Sequence, residues 1–60
     1  MYPLGTVIRF EDNCGIERMG EVTADDRRRR ILVVRYKDNG ARVTTEIGYD
    51  QVRDEESVVA

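Results

Sequence analysis

Lys37-Asp38-Asn39-Gly40 stands between the apolar run Ile31-Leu32-Val33-Val34-Arg35-Tyr36 and the alternating run Arg42-Val43-Thr44-Thr45-Glu46-Ile47. Asn-Gly between two such runs is the strongest short-range hairpin signal, because a type I′ turn needs positive φ at both central residues. Asn tolerates that conformation and Gly adopts it freely. Asp38, Asn39 and Gly40 are therefore turn residues first. The runs on either side are expected strands of a small all-β domain.

Working outward, Leu32, Val34 and Tyr36 fall on one face of the strand before the turn, and Ile31, Val33 and Arg35 on the other. After the turn Val43, Thr45 and Ile47 share a face, as do Arg42, Thr44 and Glu46. Upstream, alternation predicts a first strand over about Thr6–Phe10, then a loop at Glu11-Asp12-Asn13-Cys14-Gly15. Between Ile16 and Thr23 neither parity set is purely apolar, so Gly20 is expected to mark a bulge or strong bend. Ala24-Asp25-Asp26 reads as the next turn, and Gly48-Tyr49-Asp50-Gln51-Val52 as a tight or single 3₁₀ turn. Residues 54–60 are expected to be a charged tail or a short final strand, with Val58-Val59 offering an edge to a second copy.

The totals agree with strands. Val, Ile and Thr supply 16 of the 60 residues, while Ala and Leu supply 5; β-branched side chains suit a pleated surface better than a helix. So short a chain is one domain with a thin core, burying about 60 % of its unfolded surface. Four or five short strands must curl to bury one face, giving a small, partly open barrel. The net charge of −2 hides a sharp split: residues 27–37 carry +6, and each flank carries −4.

The succession Gly5-x-Val7, Gly20-Glu21-Val22, Val33 to Gly40, Val43 and Tyr49-x-x-Val52 resembles SH3-like barrels of the Tudor and KOW type. Tyr36, Asp38 and Gly40 match the aromatic, acid and glycine at the end of a Tudor strand, and Gly20 with Val22 resembles the KOW glycine–x–valine. The resemblance implies a binding module covering about residues 4–53. Asn39 stands where many Tudor domains have an aromatic, and the second strand has none, which argues against an aromatic cage for a methylated cation.

Several activities lack their residues. Without histidine there is no Ser/His or Cys/His dyad and no histidine metal site, and one cysteine makes no thiolate zinc site. Ser57 has no base in prospect, and Cys14 reads as a small loop residue. The acids Glu11-Asp12, Asp25-Asp26 and Asp54-Glu55-Glu56 read as solvated charge. No glycine loop for phosphate is present, and neither catalysis nor a cofactor or metal is expected. With one cysteine, no apolar span and no basic leader, the expected setting is cytoplasmic, without membrane contact.

Arg27-Arg28-Arg29-Arg30 is the strongest candidate site. Four adjacent guanidiniums repel, and folding alone gives no reason to gather them. If extended, they alternate faces, two to each side. They suit phosphates of a nucleic acid or acidic patches of a protein; alternatively Asp25, Asp26, Glu17 and Glu21 pair with them internally. Tyr36 and Tyr49, at strand ends beside turns, are candidate rim residues, while Phe10 belongs to the core. The leading expectation is protein recognition through the Tyr36 and Tyr49 rim with the arginine-led hairpin. RNA or DNA binding in the KOW or Tudor manner is second, and a small phage-type inhibitor acting by protein binding is third.

Overall fold

A computed structural model describes residues 2–56. Five strands follow in order: β1 (Val7–Glu11), β2 (Glu17–Asp26), β3 (Ile31–Asp38), β4 (Ala41–Gly48) and, after a 3₁₀ turn at Tyr49–Gln51, β5 (Val52–Glu56). They form one antiparallel sheet in the order β4-β3-β2-β1-β5. The sheet curls without closing, leaving β4 and β5 as edges. The β1–β2 loop and the 3₁₀ turn tie the strands around that gap: Asn13 Nδ2 donates to the Glu46 carbonyl at 3.2 Å, and Gln51 Nε2 to the Glu11 carbonyl at 2.8 Å.

The Asn39-Gly40 turn forms as its residues require, with φ of 52° and 81° and Asp38 opposite Ala41. The facing sets of β3 and β4 also hold. Leu32, Val34 and Ile47 enter a core with Ile8, Phe10 and Val22, each no more than 2 % exposed. Against it pack Tyr2, Tyr36, Tyr49 and Val52. Burial of those six apolar side chains, at about 1.5–3 kcal/mol each, is the main favourable term in so small a fold.

β2 is shared. Its first half pairs β1 (Val7 opposite Glu21, Glu11 opposite Glu17), and its second half pairs β3 (Glu21 opposite Arg35, Asp26 opposite Ile31). The bulge is not at Gly20; the register shifts between Val22 and Ala24, three residues on. Gly20 serves the bend differently. A Cβ there would lie 2.9 Å from the Arg35 carbonyl and 3.1 Å from Phe10 Cε1, so only glycine lets the two halves come this close. The shift exchanges parity. Val22 opposite Val34 and Asp25 opposite Leu32 both face inward, although they stand three positions apart.

Two boundaries differ from the sequence reading. Ala24, Asp25 and Asp26 continue β2, and the turn is Arg27–Arg30. Residues 54–56, expected to be a charged tail or a short final strand, belong to a strand, β5, that begins earlier, at Val52, and is held by β1 and by an Arg9–Asp54 ion pair at 2.9 Å. Val58-Val59 lies outside the described residues. No helix among the described residues is long and apolar enough to cross a membrane.

Candidate functional site

The four arginines form the whole connection between β2 and β3, and all four are exposed. They are not extended, so no two-and-two distribution between faces arises; all four sit on one turn. Asp26 organises it, accepting the Arg29 N–H at 3.1 Å and lying 3.8 Å from the Arg29 guanidinium. The other proposed internal partners are engaged elsewhere: Glu21 with Arg35 at 2.7 Å, Glu17 with Arg9 at 3.8 Å, and Asp25 with Tyr49. Among the described residues Arg27, Arg28 and Arg30 form no ion pair. Arg30 has φ 57°, where glycine or asparagine is the easier residue.

Beneath this turn one end of the sheet is sealed by Asp25, Tyr49 and Tyr2. The Tyr49 hydroxyl and the Tyr2 N–H both donate to the Asp25 carboxylate, and the two rings meet at 5.8 Å. The Tyr49 bond, then the Tyr2 N–H, hold the Asp25 carboxyl below its ordinary range, and the same bond to Asp25 raises the Tyr49 phenol. Arg30, Gly48, Tyr49 and Asp50 line an open cleft of about 510 Å³ here.

Tyr36 lies elsewhere. β3 starts with Ile31 opposite Gly48, beside Tyr49, and Tyr36 follows five residues later, about 17 Å along the strand. Tyr36 and Tyr49 therefore do not form one rim. Tyr36 instead helps seal the opposite end, edge-on to Phe10 at 5.7 Å and under the Arg18 guanidinium at 5.3 Å. Arg18 is held by Asp12 at 3.0 Å and Asp38 at 3.4 Å. Asp12 also accepts the N–H groups of Cys14 and Ile16, each at 2.9 Å. The Ile16 N–H, then Arg18, keep its carboxyl below the usual value, and Asp12 in turn raises Arg18. An open cleft of about 260 Å³ on this side is lined by Arg35, Tyr36, Lys37 and Arg42.

Two acids read as solvated charge are thus structural: Asp12 is buried, and Asp25 ties Tyr2 and Tyr49 together. Arg35, Lys37 and Arg42 are the cleft-lining cations that the sequence reading does not single out, and Arg18 is the cation over the Tyr36 ring. For Arg42 the signal was available, since a two-residue turn sets it directly opposite Lys37. Cys14 is an exposed thiol in the β1–β2 loop. Among the described residues no three side chains of metal-ligating type converge. The arrangement offers exposed guanidiniums gathered on one turn, suited to holding anions by charge-assisted hydrogen bonds. Comparison with known protein families, curated sequences and solved structures finds no match to this chain.

Proposed function

We propose that the chain is a non-catalytic binding module of SH3-like build. Its recognition element is the Arg27–Arg30 turn, and its ligand is an acidic segment of a protein partner. The observation that carries this reading is the gathering of four exposed guanidiniums on one turn, of which only Arg29 meets an acid among the described residues. Retaining arginine at position 30 costs about 1 kcal/mol of backbone strain that glycine would relieve. The meander of four strands, with a fifth returning to β1, supports the SH3-like build. The lone exposed thiol suits a reducing, cytoplasmic setting.

A protein ligand fits better than a nucleic acid. Each candidate tyrosine already has a partner within the chain, Tyr36 under Arg18 and Tyr49 against Tyr2 and Asp25, whereas base stacking needs open rings. The nucleic-acid reading draws on the second cation group, Arg35, Lys37 and Arg42 beside Tyr36. Fluorescence anisotropy with a labelled glutamate-rich peptide, single-stranded RNA and duplex DNA, at low and physiological salt, separates the two. Peptide binding that Arg27→Ala/Arg28→Ala weakens at least tenfold supports the proposal. Nucleic-acid binding with a log–log salt slope of several units, and no peptide binding, replaces it with the second reading.

A further inference from the structure

Among the described residues β4 pairs with a strand on one side only, and its ladder with β3 runs unbroken from Asp38–Ala41 to Ile31–Gly48. Because the turn has two residues, Asp38 and Ala41 exchange both of their backbone hydrogen bonds, and alternate pairs beyond them do not. Arg42, Thr44 and Glu46 therefore direct their N–H and C=O groups away from β3, to the open edge. The Asn13 amide donating to the Glu46 carbonyl from that side agrees with this direction. The side chains of all three are exposed, on the face opposite the core.

Natural edge strands carry charges that discourage pairing. Here the charges have another property. Arg42 and Glu46 sit symmetrically about Thr44, and within one chain they are about 13 Å apart, too far to pair. Neither forms an ion pair among the described residues. Arg42 moreover stands directly opposite Lys37, a like-charge juxtaposition that destabilises an isolated hairpin.

We propose that β4 pairs antiparallel with β4 of a second copy, about a two-fold axis through Thr44. This register sets Arg42 opposite the partner's Glu46, Glu46 opposite the partner's Arg42, and the two Thr44 residues face to face. All three are hydrogen-bonded pairs, because the outward backbone groups belong to these same residues. The interface is isologous and closes as a dimer, joining two five-stranded sheets into one of ten strands. Pairing requires the Asn13 amide to share the Glu46 carbonyl, which has two lone pairs, with the partner's Arg42 N–H or to yield it. The inference is independent of the arginine turn, which lies outside β4.

The test is sedimentation equilibrium on the wild-type chain and on Arg42→Glu, Glu46→Arg and the double reversal, from tens of micromolar to about 1 mM. Each single reversal turns two attractive cross-strand pairs into two repulsive ones and raises the dimer dissociation constant roughly tenfold or more. Folding is retained, because Arg42→Glu places an acid opposite Lys37 and position 46 is exposed. The double reversal restores association. So does an equimolar mixture of the two single variants, in which each chain complements the other. A wild-type chain that stays monomeric overturns the proposal. So does a dimer indifferent to the single reversals, and so does failure of both the double variant and the mixture to recover.

Discussion

Replacing Gly20 with alanine tests the bend that gives the sheet its core. The added methyl would stand 2.9 Å from the Arg35 carbonyl, 3.1 Å from Phe10 Cε1 and 3.3 Å from Tyr36 Cβ. The first neighbour is backbone of the adjacent strand β3 and cannot swing aside, so β2 and β3 must separate. Overpacking of this kind costs about 1–3 kcal/mol. Losing glycine's excess unfolded-state freedom returns about 0.5–1 kcal/mol. The net is a destabilisation of roughly 1–2 kcal/mol, against about 3–9 kcal/mol for a domain of this length. Thermal unfolding followed by circular dichroism should show Tm lower by roughly 4–16 °C. Gly15→Ala is the control: its methyl meets nothing within 4 Å, and only its φ of 82° is strained. Both variants lose stability, but only Gly20→Ala should shift the ring resonances of Phe10 and Tyr36. A Gly20→Ala protein that melts at or above the wild-type temperature refutes the close-approach argument.

Three further outcomes follow from the two sealed ends and the turn. Asp12 has a folded pKa below its ordinary 3.8, so the unfolded chain binds the extra proton; its contribution is complete above that value and disappears as pH falls through the folded one. Urea unfolding of wild type from pH 6 to pH 2 should lose stability in the acid limb, and Asp12→Asn, less stable at pH 6, should lose less of it. Tyr49, with its hydroxyl given to Asp25, should ionise above the ordinary 10.0 in a tyrosinate absorbance titration, and Asp25→Asn should bring it back. Unchanged titration would refute that bond. Arg30→Gly should raise stability by about 1 kcal/mol while weakening the glutamate-peptide affinity, a loss at one property and gain at the other that separates binding from folding.

The hairpin at Asn39-Gly40 was legible because its signal is local: two residues set φ, and alternation sets the faces of β3 and β4. β2 resisted for an identifiable reason. Its inward set is Arg18, Gly20 and Val22 before the shift and Asp25 after it, so no single parity describes it. Asp25 looked like a turn residue because the groups that draw it inward, Tyr2 and Tyr49, are 23 and 24 positions away. Asp12 is hidden in the same way, since a carboxylate followed by Asn-Cys-Gly reads as solvated until Arg18 and two backbone N–H groups converge on it. β5 is charged because it is an edge beside β1, and its Asp54 meets Arg9 rather than a core. The arginines are recognisable as a cluster, but their placement on one turn depends on where β2 ends.

The sharing of β2 also fixes an order of assembly. Pairing β3 with β4 closes a two-residue turn, and pairing β2 with β3 closes a four-residue one, so both can zip early from local encounters. β5 finds β1 only across the intervening three strands, with Phe10 opposite Val52, and the closure entropy of so long a loop is repaid last. Destabilising changes in the Asn39-Gly40 hairpin should therefore slow folding, whereas changes at the Arg9–Asp54 contact should act on the rate at which the finished sheet opens.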